Sequence, residues 1–296
     1  METMIDSIKQ NVPYDLIFFG LGQNCQPYIS YFFLEAKKIS QKYKTKLIIG
    51  ENGSTDHTFY EIQKELLKQD QLLNLDFVDT TFVEKYSNRV VRLSKARQKL
   101  FDHMITKNIQ SKYICVIDLD NVLEESSIEE NIKKMIKILE KNKNKYFGVS
   151  AKSAPYYYDI LNFESEENLN SNILEIMNNK RISSYGLRKE KIYFLQNKLT
   201  RLGNVEAISA FNGMCLYFFN EYIQSNYYCL DNDGNIIPEH LNLNRIIAKN
   251  TQKKILVSKD IILKMPQEHR PLFNIFIFLI VKIFKYFSSF KKSKIY

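Results

Sequence analysis

The sequence predicts an α/β fold, a mostly parallel sheet flanked by helices, on three observations. Short apolar runs at 15–19, 46–49, 75–78 and 112–117 read as strands. Each is followed by a stretch long enough for a helix, and strands alternating with helices build a doubly wound sheet. The fourth run ends in Asp118-Leu-Asp120. Two carboxylates one residue apart cannot both face a core at low cost. They leave the sheet beyond its carboxyl ends, where open α/β folds place ligands.

The elements follow in order. Strand 15–19 ends at Gly20-Leu-Gly22 and leads to a helix over 27–43. Strand 46–49 runs into Gly50-Glu-Asn-Gly-Ser-Thr-Asp56. The next helix covers 55–69, with Ser54 or Thr55 as its N-cap and Asp56 in its first turn. Strands 75–78 and 112–117 enclose a helix over 89–107, and a helix over 127–143 leads to strand 146–150. Residues 153–204 are rich in Asn, Glu, Lys and Tyr and read as short helices and loops over the active face. Residues 211–219 are apolar around Gly213. Asp231-Asn-Asp-Gly234 reads as a turn, because a calcium loop needs a bidentate Glu at its twelfth position and Asn242 stands there. A helix over 239–249 and a strand over 254–257 complete the domain.

Composition narrows the partners. The chain has 296 residues and a formal net charge of +9. That charge favours sugar nucleotides, lipid phosphates or membrane surfaces. There is no zinc-finger spacing, RNA-recognition signature or basic helical register, so nucleic acid is not an expected partner. Cys25, Cys115, Cys215 and Cys229 form no C-x-x-C pair, and Cys115 and Cys215 lie inside apolar runs. Buried, reduced thiols and a reducing compartment are expected. Residues 1–13 are polar and carry no apolar signal sequence.

The stretch 272–281 is strongly apolar and precedes Lys282, Lys285, Lys291, Lys292 and Lys294, interleaved with Phe and Tyr. A spanning helix needs about 20 apolar residues. The tail 270–296 therefore reads as an amphipathic, hydrophobic helix lying in the headgroup region, lysines towards anionic lipid. A helix packed on the domain and a true short span are the alternatives. The expected location is cytoplasmic and peripheral, on the cytoplasmic face of a membrane.

Two segments carry chemistry by residue type. Gly53 permits a tight turn, and Glu51 can accept hydrogen bonds from a base or ribose. A plain strand-to-helix turn uses the same residues. Asp118 and Asp120 offer paired hard oxygens that suit Mg²⁺ or Mn²⁺ and, through the metal, a diphosphate. Ordinary loop acids are the bland reading.

The motifs also carry a resemblance. Glu51–Thr58 resembles the D-D-G-S-T-D-x-T element of glycosyltransferases with the GT-A (Rossmann-like) fold, with Glu51-Asn52 in place of two aspartates. The run from Arg89 through Arg92 and Arg97 to Gln98 resembles that superfamily's A-R-N helix, with Gln98 replacing Asn. Asp118-Leu-Asp120 resembles the D-x-D metal motif, Phe211-Asn-Gly213 the glycine loop beneath the donor sugar, and Pro238-Glu-His240 the acidic site that opens the acceptor-side helix. His269 stands where the superfamily often places a final metal-binding histidine. The resemblance runs from Tyr14 to His269. A closer similarity, through Glu51–Asp56, Arg89–Gln98, Tyr158-Asp159 and Glu239-His240, is to the cryptococcal α-1,3-mannosyltransferase-like family and its bacterial relatives.

The resemblance implies a GT-A domain over 1–269, its nucleotide-sugar half at 14–150 and its acceptor half at 151–269, followed by the membrane-associating tail 270–296. It implies a nucleotide-sugar donor, GDP-mannose or a UDP-sugar, and a glycan or glycolipid acceptor. Glu51, Asn52, Asp56, Arg89, Arg97, Asp118 and Gly213 would contact the donor. Asp120 would hold Mn²⁺ or Mg²⁺, with Asp118 through water and His269 as a further ligand. Glu239 would take the acceptor proton and His240 would bind substrate. Each has a bland counterpart: surface charge for the arginines, a β-turn for Gly213, a first-turn acid favoured by the helix dipole for Glu239, and an ordinary loop residue for His269. Tyr156, Tyr157 and Tyr158 could form an acceptor platform or simply pack. Two other readings compete. A sugar-nucleotide nucleotidyltransferase needs a basic glycine-rich loop after the first strand, and here no Arg or Lys follows Gly20 before Lys37. A non-catalytic membrane module has no need of both Asp118 and Asp120.

Overall fold

The computed structural model of the chain describes residues 14–68, 73–123, 127–166, 185–231 and 234–266. Strand β1 (Tyr14–Gly22) shows why the first half is so apolar. Leu16 and Phe18 join one core, Ile17 and Phe19 the other, and all four are fully buried. A strand covered on both faces loses the polar alternation of a half-exposed one. Helices α1 (Gln26–Ser40), α2 (Thr58–Leu67) and α4 (Ile128–Lys141) cover the Leu16 face. Helices α3 (Arg89–Thr106) and α7 (Glu239–Thr251) cover the Ile17 face.

The eight-stranded sheet has the order β3-β2-β1-β4-β7-β5-β8-β6. Its members are β2 (Thr45–Glu51), β3 (Asn74–Asp79), β4 (Ser111–Asp118), β5 (Tyr146–Ala154), β6 (Val205–Ala207), β7 (Met214–Phe218) and β8 (Lys254–Lys264). Strand β1 pairs in parallel with both β2 and β4. The chain therefore leaves β1 towards one side and later returns to its other side. That switch opens a crevice beyond the carboxyl ends of β1, β2 and β4.

Some elements depart from the sequence reading. Strand β7 runs antiparallel between β4 and β5, and β6 runs antiparallel at the edge against β8. Strand β8 extends to Lys264, beyond the expected end at 257, because its second half pairs with the end of β5 after a register shift. Helix α5 (Tyr185–Arg201) spans 17 residues where short helices and loops were expected. Helix α2 starts at Thr58, not at 55. Asp56 Oδ1 accepts the Thr58 N–H at 2.9 Å, while Ser54 and Thr55 both bond to Asn24 across the turn. The remaining helix, α6 (Phe219–Tyr222), is a single turn.

All four cysteines are buried and free. Among the described residues no helix is long and apolar enough to cross a membrane. The tail 270–296 and His269 lie outside the described residues.

Candidate active site

A cavity of about 830 Å³ opens beyond the carboxyl ends of β1, β2 and β4. Leu21, Gly22 and Gln23 reach it from β1, Asn52 from β2, and Asp118 and Asp120 from β4. Arg89, Arg92 and Arg97 line it from α3, and Glu239 and His240 from the start of α7. Tyr158, Asp159 and Asn162, together with Gln196 of α5, close the far wall.

Arg97 organises this cavity. Ser94, Arg97, Leu100, Phe101 and Met104 make the buried face of α3, which follows helical spacing. The arginine carries the only charge on that face. Arg97 is 3% exposed. Its Nη2 donates to Asp118 Oδ1 at 2.7 Å and its Nε to Glu239 Oε1 at 3.3 Å. The guanidinium lies 5.4 Å from the Phe211 ring centroid. A planar fork addresses two carboxylates on different elements through separate N–H groups held in fixed directions, which gives the pair of bonds a geometry that the rotatable ammonium of a lysine does not impose. Burial pushes the Asp118 carboxyl above its ordinary value, and the Arg97 charge and the Tyr158 hydroxyl act against that rise. Burial likewise raises Glu239, again opposed by Arg97.

His240 is held as a neutral ring. Burial, and then the Arg97 charge, push its pKa well below the ordinary value. The ring stacks on Phe211 at 3.7 Å between centroids and meets the edge of Tyr227 at 5.6 Å. Among the described residues neither nitrogen has a hydrogen-bond partner, and Nε2 lies 3.7 Å from Glu239 Oε1. At that distance the two make a packing contact and no hydrogen bond.

The turn after β2 divides its residues. Glu51 accepts the Gly53 N–H at 3.0 Å and also the Ser54 N–H, so its carboxylate holds its own turn. Asp56 accepts the Gln26 and Thr58 N–H groups and joins α1 to α2. Asn52 is the member of this turn on the cavity wall, and its carbonyl accepts from Gln23 Nε2 at 3.0 Å. Gln98, next to Arg97, accepts the Tyr227 N–H at 2.7 Å and braces the loop before α7.

Gly213 sits one layer behind the wall. It has φ +84°, and the preceding Asn212 has φ +54°. Its carbonyl accepts the Asp118 N–H at 2.9 Å. An added Cβ would meet the Tyr158 hydroxyl at 2.6 Å. Gly213→Ala should therefore cost about 1–3 kcal/mol from the left-handed backbone and the displaced ring. Thermal unfolding checks this. A melting point equal to the wild type would mean that the turn adopts another backbone.

A divalent cation suits part of this wall. Asp120 is exposed at the rim, and its Oδ1 accepts the Val122 N–H at 3.1 Å. Asp118 is engaged by Arg97 and Tyr158. Among the described residues no three His, Cys, Asp or Glu side chains gather as a metal cage. Mg²⁺ and Mn²⁺ bound beside phosphates need only one or two carboxylates, the rest of the shell being phosphate oxygens and water. Asp118 and Asp120 together supply the one or two carboxylates that such a cation needs.

The sequence carries no signal for Gln23, Asn162 or Gln196: a lone uncharged amide, whether in a loop or on helix α5, forms no pattern with its neighbours, and only the place of these three on the wall shows them. Asp159 carried a signal only as half of the Tyr158-Asp159 pair.

No protein-family model and no curated protein sequence matches the chain. Solved structures do resemble it. The mannosyltransferase PcManGT from Pyrobaculum calidifontis, in complex with GDP-Man and Mn²⁺, superposes with a TM-score of 0.51 at 10% identity, over 87% of this chain and 59% of that one. TarS from S. aureus, in complex with UDP-GlcNAc, gives 0.45 at 11% identity over 86% of this chain and 59% of that one. Glucosyl-3-phosphoglycerate synthase from Mycobacterium tuberculosis gives 0.42 at 11% identity over 88% and 75%. The chain thus spans about three-fifths of the mannosyltransferase's length. At such identities the likeness is one of architecture: an α/β, mostly parallel sheet flanked by helices, in the arrangement of the GT-A glycosyltransferases.

Proposed function

We propose that the chain is a glycosyltransferase that moves a sugar from a nucleoside diphosphate donor to a hydroxyl acceptor. One observation carries the reading. Asp118 at the end of β4 and Glu239 at the start of α7 share the buried Arg97 on the wall of one cavity, at the switch point where such sheets bind nucleotides.

The residues then divide the work. Gln23 and Asn52 border the end of the cavity beside β1 and β2, where the base and ribose would lie. Arg89 and Arg92 face the cavity and offer charge-assisted hydrogen bonds to the diphosphate. Asp120 and Asp118 would hold a divalent cation, whose chemistry when bound would be to neutralise the charge of the leaving diphosphate. In the transfer, the acceptor oxygen bonds to the anomeric carbon. The bond from that carbon to the phosphate oxygen breaks, and the electron pair leaves with the diphosphate. Glu239 takes the acceptor proton, and burial favours that by raising its basicity.

The donor proposed is GDP-mannose or a UDP-sugar, and the acceptor a glycan or lipid-linked glycan in surface polysaccharide or glycoconjugate synthesis. The basic, apolar tail 270–296 would hold the enzyme on the cytoplasmic face of a membrane. The resemblance of the motifs Glu51–Asp56, Arg89–Gln98, Tyr158-Asp159 and Glu239-His240 to those of the cryptococcal α-1,3-mannosyltransferase-like family would favour mannose.

A thermal-shift comparison of UDP, GDP, CMP and ATP, with and without Mn²⁺, tests the reading. At a hundredfold excess over Kd a ligand stabilises by about 2.7 kcal/mol. One nucleoside diphosphate should raise the melting temperature with Mn²⁺, and the rise should be lost in Asp120→Ala. No shift with any nucleotide would overturn the proposal.

A further inference from the structure

Helix α7 begins without a cap of its own. Its N-cap is Pro238, which makes no side-chain cap hydrogen bond. The first-turn amides of a helix need partners from elsewhere. One comes from the neighbouring 160–162 turn: Asn162 Oδ1 accepts the Leu241 N–H at 3.2 Å. Leu241 is two residues beyond Glu239, so this contact anchors the turn that carries the carboxylate.

Asn162 can present its oxygen to α7 only because its nitrogen is claimed elsewhere. Asn162 Nδ2 donates to both carboxylate oxygens of Asp159, at 2.9 and 3.0 Å. Asp159 Oδ2 also accepts the Asn212 N–H at 3.2 Å, and Asn212 Oδ1 accepts the Asp159 N–H at 3.2 Å. Asn212 and Gly213 form the left-handed turn whose carbonyl receives the Asp118 N–H. A continuous path therefore runs from Asp118 through the 212–213 turn, Asp159 and Asn162 to the first turn of α7.

We infer that Asp159 is a positioning residue that fixes the orientation of the Asn162 amide and so couples the 212–213 turn beneath Asp118 to the turn that carries Glu239. The inference rests on the transferase reading for its catalytic consequence, but the coupling stands on geometry alone. Asp159 makes no ion pair among the described residues. The charged and titratable groups around it are Asp118, Glu239, Tyr157 and Tyr158. Burial, then the Asp118 and Glu239 charges, outweigh the Asn162 and Asn212 bonds and push its carboxyl up to about 7. The ionised form accepts from all its donors. The protonated form turns one oxygen into a donor facing another donor.

A reciprocal exchange tests the pair. In Asp159→Asn the two facing amides can rotate together and release Leu241. Combining Asp159→Asn with Asn162→Asp swaps the two side chains. The carboxylate then stands at position 162 and accepts from both the amide at position 159 and the Leu241 N–H. The amide oxygen at position 159 still accepts the Asn212 N–H. Turnover should fall about tenfold to a hundredfold in Asp159→Asn, the scale of a slight misplacement of a catalytic group, and recover most of that loss in the exchanged pair. Affinity for GDP or UDP with Mn²⁺ should stay within a few-fold. The acid limb of turnover should move to lower pH in Asp159→Asn. Thermal unfolding supplies a readout free of activity: the losses in Asp159→Asn and Asn162→Ala should be smaller together than their sum. Additive unfolding losses, or an exchanged pair no more active than the single variant, would overturn the inference. A wild type that binds no nucleotide would instead remove the transferase reading and leave the unfolding cycle to decide the coupling.

Discussion

Arg97→Met should lower folding stability by about 3–5 kcal/mol, the range for removing one partner of a buried ion pair. The apolar stem is replaced nearly in kind, so packing is not the cause. The loss comes chiefly from Glu239, left in the interior, and in lesser part from the partly buried Asp118 on the cavity wall, once the cation that bridges them is gone; Arg89 acts on both only through space. Glu239 is 4% exposed, and burial already raises both carboxyls with Arg97 in place. For a chain of this size the drop is on the order of 10 °C in melting temperature.

The pH dependence has a definite sign. A carboxyl whose folded pKa lies above its unfolded value, about 4, binds more protons when folded. Its contribution to stability therefore declines as pH rises from that value through the folded pKa. Without Arg97 both folded values climb further, so the window widens upward. The deficit of Arg97→Met should be large at about pH 8 and shrink as pH falls towards about 5. Adding Asp118→Asn and Glu239→Gln to Arg97→Met should restore most of the stability at the alkaline end, because hydrogen-bonding amides replace the stranded charges. Denaturant unfolding across that range measures all of this. A deficit independent of pH would mean that Arg97 acts through packing.

What could be read from residues alone follows from how local the cause is. Strands β1, β2 and β4 declare themselves because the middle of each is buried on both faces and apolar, with charge confined to the ends. Asp118 is legible because a charge at the end of such a strand contrasts with everything before it. Arg97 is legible as a helical residue, but its side chain joins residues 21 and 142 positions away, and nothing in α3 announces them. The insertion of β7 between β4 and β5 is decided by long-range pairing; its five residues, Met214–Phe218, would suit a parallel strand equally well. Glu51 shows the opposite limit. Its carboxylate is captured by amides two and three residues ahead, a local bond that acidic side chains make readily in turns. The irregular stretch 153–166 hides its function because Asp159 and Asn162 work through contacts with Asn212 and Leu241.

Glu239→Gln should reduce turnover by about 10²–10⁴, the usual contribution of a positioned proton acceptor, and leave nucleotide affinity within a few-fold. The substitution keeps the shape of the side chain and an oxygen for the Arg97 Nε contact, so the cavity wall should stay in place. Arg97 retains its bond to Asp118 Oδ1, so no cation is left unpaired and the fold should hold. The separation of turnover from binding is what identifies the role, since a residue that only shaped the donor site would change both. Asp118→Asn provides the contrast. It alters the carboxylate that neighbours the proposed cation and bonds Tyr158, so it should weaken metal-dependent nucleotide binding as well as turnover. His240 offers no substitute acceptor: both of its nitrogens are buried, and protonating the ring beside Arg97 is unfavourable. Should Glu239→Gln keep more than a third of wild-type turnover, the acceptor proton leaves by another route, and the carboxylate at the start of α7 serves only to hold Arg97.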